Sequence, residues 1–221
     1  MRNASAVFYL GSNMDVLKRL PDNSIDSSVS DPPYELGFMG KKWDKSGIAY
    51  DVEMWRELYR VLKPGSHVLA FGGTRTYHRM ACAIEDAGFE IRDQLQWLYE
   101  QGFPKSLNIS KAIDSAAGAE REVLATYFEH DIRKAQIISY EKKPRIELEI
   151  TTQATPEAEE WEGWGTALKP ANEPICLARK PISEKSVYEN VLKWGTGGIF
   201  IDGCRIALDG EIIPINKLES W

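Results

Sequence analysis

The chain has 221 residues, 43% of them hydrophobic and 27% charged, with seven Trp, nine Tyr and seven Phe. A chain of this length can bury roughly 70% of its unfolded surface, so the composition excludes disorder as the dominant state. The net charge of −6 excludes a uniformly basic nucleic-acid coat but leaves room for a local basic groove.

Ala6 to Gly11 reads as a first short strand, and Asn13 to Leu20 as a helix with Val16, Leu17 and Leu20 on one face. Pro21-Asp22-Asn23-Ser24 is turn chemistry. Ile25 to Ser30 is a strand that must end at Asp31-Pro32-Pro33-Tyr34, because two prolines cannot continue a central ladder. Residues 35–51, rich in glycine and lysine, read as a loop. Trp55, Leu58, Tyr59 and Leu62 then recur at helical spacing over 52–62, and Lys63-Pro64-Gly65 stops that helix. His67 to Phe71 is an apolar strand closed by Gly72-Gly73, and Thr76 to Ala87 a helix. Strict alternation of Phe89, Ile91, Leu95, Trp97 and Tyr99 predicts a half-buried strand.

Beyond residue 100 the order becomes less regular. A helix is expected over 107–118 and a charged helix over 119–135. Ile146, Leu148 and Ile150 alternate with charged residues, and the acidic run Glu157 to Glu162 reads as a solvated loop. Glu173 to Arg179 is a strand, and Pro, Gly and charge dominate the rest apart from Ile199 to Ile201. The expected organisation is a doubly wound α/β core over 1–118, an inserted α+β segment over 119–165, and a last sheet strand with periphery over 166–221.

Cys82, Cys176 and Cys204 are odd in number and form no CxxC pair, which argues for reduced thiols and against a disulfide framework or zinc site. His67, His78 and His130 lack ligand spacing, so no metal is expected. No apolar run reaches the ~18 residues that cross a bilayer. The first residues lead into a mixed strand instead of the apolar core of a signal peptide, and a cytoplasmic protein is expected.

The sharpest chemical signal is Ser30-Asp31-Pro32-Pro33-Tyr34 at a strand end, the edge where open α/β sheets bind ligands. It suits an exocyclic amine on a planar base. The Asp31 carboxylate and the Pro32 carbonyl can each accept one amine N–H, drawing the nitrogen lone pair out of ring conjugation. The prolines have fixed φ and no N–H to compete, and the Tyr34 ring is a face for stacking. A base inside a duplex would first have to be flipped out.

Asn13-Met-Asp-Val-Leu-Lys-Arg-Leu-Pro-Asp-Asn-Ser-Ile-Asp26 leading into Asp31-Pro32-Pro33-Tyr34 resembles the DNA amino-methyltransferases, the adenine-N6 and cytosine-N4 enzymes of prokaryotes, phages and restriction-modification systems. Leu62 to Thr74 and Trp97 to Asn108 are similar to the strands and loop that follow the catalytic motif, and Ala167 to Pro181 and Gly197 to Arg205 to segments of a phage-rich branch. The resemblance implies a Rossmann-like methyltransferase sheet, S-adenosyl-L-methionine as cofactor, double-stranded DNA as partner, and Asp31, Pro32, Pro33 and Tyr34 as catalytic residues. Asp31 and Pro32 would also border the cofactor. Asp at the first motif position favours adenine-N6 transfer over cytosine-N4.

The resemblance also implies a Phe-x-Gly-x-Gly cofactor strand near the C-terminus, and the sequence has no such run. Phe71-Gly-Gly-Thr74 has the wrong spacing, and Gly195-Thr-Gly-Gly198 follows no apolar strand. An incomplete cofactor pocket is therefore expected. A truncated product, one part of a split enzyme completed by a second chain or a homodimer, and a degenerate relative that binds DNA or a partner all stay open.

Lys41, Lys42 and Lys45, beside Trp43, sit in the loop after the motif, either contacting phosphates around a flipped nucleotide or forming a solvated loop with Trp43 folded inward. Lys105 lies in the Phe103 to Asn108 loop that the resemblance places near substrate. Arg75, His78 and Arg79 open a helix after Gly72-Gly73 and suit either an anion or plain solvent. Asn172-Glu173-Pro174 reads as a turn orienting the next strand, with Glu173 a buried partner.

Overall fold

Sequence-adjacent strands β1 (Ile25–Ser30) and β2 (Leu62–Phe71) run parallel, joined by helix α2 (Val52–Val61). The computed structural model describes residues 6–37, 42–99, 106–130, 145–168, 171–204 and 206. Helix α1 (Asn13–Leu17) precedes β1; helix α3 (Tyr77–Asp86) and strand β3 (Glu90–Leu98) follow β2. A late strand, β6 (Asn172–Arg179), inserts antiparallel between β2 and β3, giving the sheet order β1-β2-β6-β3. The result is a Rossmann-like α/β arrangement with one antiparallel strand, as the sequence leads one to expect of the fold class.

Helix α2 begins where Asp51 accepts a hydrogen bond from the Glu53 N–H at 2.9 Å. It buries Met54, Trp55, Leu58 and Val61. Trp55 is wholly buried, with its indole N–H donating to the Ala49 carbonyl at 3.0 Å. These side chains meet Val68 and Ala70 of β2, Met80, Ala83 and Ile84 of α3, and Cys176 and Ala178 of β6 in one core.

Lys63-Pro64-Gly65 does more than stop α2, because the chain passes directly into β2 and bulges there. Ile25 pairs with Leu62, but Ser27 pairs with His67. Gly65 is required at φ 82°, and a Cβ on it would stand 2.5 Å from Asn190 Nδ2. Asn190 belongs to α6 (Val187–Trp194) and donates to the carbonyls of Pro64 and Thr196 at 2.9 Å each.

Lys180, just past β6, has a buried ammonium donating to Asn23 Oδ1 and the Tyr59 carbonyl at 2.8 Å and to the Leu62 carbonyl at 2.7 Å. It also lies 4.5 Å from the centre of the Tyr59 ring. One cation thereby ties the end of β6 to the end of α2 and to the turn before β1.

Several expectations are corrected. Residues 6–10 are exposed and join no strand. β3 is a strand as predicted but not half-buried: it lies at the sheet edge, with Leu95 and Trp97 44% and 60% exposed. Residues 123–130, expected within a charged helix, form strand β4 (Val123–His130), paired antiparallel with β5 (Arg145–Thr151). The β-branched and aromatic content of Val123 to Phe128 prevails once β5 offers a partner. The acidic run begins in a short helix, α5 (Pro156–Glu160), and is not wholly a loop.

The chain forms two compact units, Met1–Leu98 with Asn172–Trp221, and Tyr99–Ala171. The second contains α4 (Ile109–Ala117), the β4–β5 pair and α5. Its centre is the buried Asp114, which accepts from Arg121 Nε at 2.6 Å, Thr155 Oγ1 at 2.7 Å and the Ala154 N–H at 3.1 Å. Burial alone would raise the Asp114 carboxyl, but these donors outweigh it and hold it at about 2. A depressed carboxyl contributes stability above its unfolded value and loses it as pH falls towards its folded one. We therefore expect this unit to lose stability between pH 4 and about 2. Asp114→Asn should remove that acid limb from the melting profile, and an unchanged limb would contradict the assignment.

Candidate active site

Ser30 pairs with Ala70, so Asp31 emerges level with Phe71 at the carboxyl ends of two parallel strands. The Asp31 side chain is exposed, while Pro32, Pro33 and Tyr34 are half-buried. The prolines end the ladder, and the next residues are fixed by contacts from β2 and α3. Thr76 Oγ1 donates to the Tyr34 carbonyl at 2.7 Å. A Cβ on Gly73 would stand 3.4 Å from Tyr34 Cβ and 3.2 Å from Thr76 Oγ1, so a larger residue there would press on the motif.

After Tyr34 the backbone turns through Glu35 at φ 56°, and Ser46 Oγ donates to Glu35 Oε1 at 3.0 Å. The Gly37 N–H donates to the Asp44 carbonyl at 3.0 Å, closing the loop onto a short 3₁₀ turn, Lys42–Lys45. Lys42 and Trp43 lie in that turn, and Lys45 is exposed beside Gly37. Lys41 and Lys105 lie outside the described residues. Arg75, His78 and Arg79 are exposed around the start of α3.

The Tyr34 hydroxyl is held firmly protonated. Burial pushes its ionisation up, and the negative charges and hydrogen bonds of Asp31 and Glu173 add to this. Glu173 was expected to be a buried partner in the turn that opens the last strand. It is half-buried near the start of β6, which reaches the same sheet edge because it runs antiparallel. Nothing local in Asn172-Glu173-Pro174 signals this, because only the strand order brings it to Tyr34. Nearby, burial pushes the Tyr77 phenol up to about 12. Burial also pushes the Cys176 thiol up to about 11, against a lowering hydrogen bond from Tyr77. Such a thiol is no nucleophile near neutral pH. Among the described residues no three His, Cys, Asp or Glu side chains cluster to hold a metal, and no helix is long and apolar enough to cross a membrane.

A DNA methylase family model, N6_N4_Mtase, matches residues 25–191, well over half of the chain and the whole of the sheet just described. The chain belongs to the N6/N4 DNA methylase family. Relatives similar to this chain include the type II methyltransferase M.HindIII of Haemophilus influenzae, 28% identical over 149 residues, which covers 66% of this chain and 37% of that protein. M.HpaI of Haemophilus parainfluenzae is 34% identical over 104 residues, covering 44% of this chain and 33% of that one. The chain thus spans about a third of the length of these relatives. Among solved structures it is similar to TTHA0409 of Thermus thermophilus, at 15% identity and a TM-score of 0.41, covering 83% of this chain and 56% of that one. It is also similar to M1.HpyAVI in its S-adenosylmethionine complex, at 14% identity and a TM-score of 0.38, covering 81% and 55%.

Proposed function

We propose that this methylase transfers a methyl group from S-adenosyl-L-methionine to the N6 amine of adenine in duplex DNA at a specific site. The observation that carries the reading is the rigid Asp31-Pro32-Pro33-Tyr34 segment at the carboxyl end of β1, in a chain of this family. The Asp31 carboxylate and the Pro32 carbonyl accept the two amine N–H groups of a flipped adenine. The Pro32 carbonyl is fixed by the two prolines before the base arrives, so on that side the amine is polarised without reorganisation. Tyr34 faces the base, and Lys42 and Lys45 lie on the loop next to it for phosphate contact. Asp as the first motif residue supports adenine over cytosine.

The residues present fit the cofactor at its charged end. Asp31 and Glu173 both lie near Tyr34, and two carboxylates there would suit a sulfonium cation, with Asp31 and Pro32 bordering it. When bound, S-adenosylmethionine supplies an electrophilic methyl group. A glycine cradle for its adenosine is not found at Gly72-Gly73, because a Cβ on Gly72 would meet Met80 Cε at 3.0 Å and one on Gly73 would meet Thr76. Those glycines serve protein packing.

A second reading has its own support: a partner chain, or a second copy, completes the pocket. β1 carries Asp31 but pairs on one edge only, among the described residues. Ligand crevices in open sheets lie at the carboxyl ends between two neighbouring strands, and β1 has such a neighbour on one side only. One wall of the crevice would then come from whatever pairs with the free edge.

Calorimetric titration of the purified chain with S-adenosylmethionine, and with its demethylated product, tests the first reading. Saturable binding, followed by N6-methyladenine in hydrolysed DNA after incubation with both, is the expected result. N4-methylcytosine as the only product would move the assignment to cytosine. A well-folded chain that binds neither compound would favour the second reading.

A further inference from the structure

We infer that Thr76 is a positioning residue of this site: its hydroxyl straps the end of the Asp31-Pro32-Pro33-Tyr34 segment to the start of α3 and so sets where the Tyr34 ring stands. The inference rests on the site assignment proposed above. Thr76 is the N-cap of α3, a position where a threonine hydroxyl ordinarily accepts a hydrogen bond from the N–H of the second or third helical residue. Here it makes no such bond. It donates instead to the Tyr34 carbonyl at 2.7 Å, 42 positions back along the chain. A hydroxyl has one hydrogen to give, and the Gly73 carbonyl, at 3.4 Å, is the poorer acceptor. The helix goes without its side-chain cap, and the motif gains the bond.

The strap is itself anchored. The N–H groups of Thr76 and Tyr77 donate to the Gly73 carbonyl at 3.0 and 2.8 Å, and the Gly72 N–H donates to the Pro174 carbonyl of β6 at 3.0 Å. Gly73 also lies against the motif, since a Cβ there would stand 3.4 Å from Tyr34 Cβ. The Tyr34 carbonyl belongs to the peptide that leads into Glu35, whose φ of 56° is uncommon for a residue with a side chain. Holding that carbonyl fixes the plane of this peptide, and with it the backbone from which the Tyr34 ring projects. The prolines restrain the motif from within, and Thr76 restrains its far end. Thr76 needs no contact with the base.

The test uses Thr76→Val, which nearly keeps the shape and removes the donor, Thr76→Ser, which keeps the hydroxyl, Tyr34→Ala, and the double variant Tyr34→Ala/Thr76→Val. On the free chain, with tyrosine labelled with 13C at the carbonyl and glutamate with 15N, the peak lost in Tyr34→Ala identifies the Tyr34–Glu35 peptide. Thr76→Val should move that peak, and Thr76→Ser should leave it nearly in place. In methyl transfer, Thr76→Val should lower kcat about tenfold, the size of one lost hydrogen bond, with KM for S-adenosylmethionine little changed. Thr76→Ser should recover most of the rate. The double variant should be no slower than Tyr34→Ala alone, because without the ring the strap has nothing to place.

An unmoved peptide peak in Thr76→Val, a Thr76→Ser rate as low as that of Thr76→Val, or an equal loss from Thr76→Val in the Tyr34→Ala background would overturn the inference. A wild-type chain without transfer activity counts against the proposed function and leaves the peptide peak to decide the role of Thr76.

Discussion

Asp31→Ala should cut methyl transfer about a thousandfold in kcat, while leaving the thermal midpoint of the chain almost where it was. The two halves of that expectation have separate causes. Asp31 is exposed and lies beyond the last ladder pair of β1, so its removal opens no cavity and breaks no sheet bond. Substitutions of that kind shift stability by only a few tenths of a kcal/mol. For the reaction, however, Asp31 is the one charged acceptor of the motif itself. Losing a preorganised group of that type costs a hundredfold to ten-thousandfold in catalysed reactions. Asp31→Asn should fall between the two, because its amide oxygen still accepts while the charge is gone. Rates and melting curves measured on the same preparations decide it, and wild-type transfer by Asp31→Ala would remove Asp31 from the chemistry.

The largest effect on stability is expected at Lys180. Lys180→Met keeps the apolar stem and removes the ammonium, leaving Asn23 Oδ1 and the carbonyls of Tyr59 and Leu62 without the donor they now share. Buried acceptors left unsatisfied cost about 1–3 kcal/mol each when water does not replace the donor. A loss of about 3 kcal/mol in urea unfolding, with an unchanged denaturant slope, is the expected outcome. A loss below about 1 kcal/mol would mean that water replaces the ammonium and that the three-way tie contributes little. The variant lies away from the motif, so any activity change should track the folded fraction.

The two variants also mark what a sequence reveals. Asp31 was legible because its chemistry and its placement are both local: an apolar run, then two prolines that forbid any further strand. Helices α2 and α3 were legible from the spacing of Trp55 and Leu58 and of Met80 and Ile84. The partners of Lys180 and Glu173 were not, since they lie 118 to 157 and about 140 positions away and are brought close only by the insertion of β6. The same insertion explains β3, whose alternating pattern is real but whose place at the edge leaves Leu95 and Trp97 uncovered. Strand β4 was missed because Glu120, Arg121 and Glu122 look like a solvated helix face, although Arg121 turns inward to Asp114. Helix α6 did carry a readable signal. Ser186 accepts from the Glu189 N–H and donates to the Glu189 carboxylate, a Ser-x-x-Glu start that pattern reading can find.

The antiparallel pairing of β3 with β6 has a consequence for how such a chain can change. Leu98 and Asn172 are direct ladder partners, and one residue further the Tyr99 N–H still donates to the Ala171 carbonyl at 2.9 Å. Everything between these residues leaves and re-enters through one adjacent pair, as the loop of a hairpin does. Closing a longer loop adds only about 0.6 kcal/mol for each doubling of its length. The intervening segment is therefore free to grow, shrink or be exchanged for an unrelated one over generations without shifting the strand that ends in Asp31.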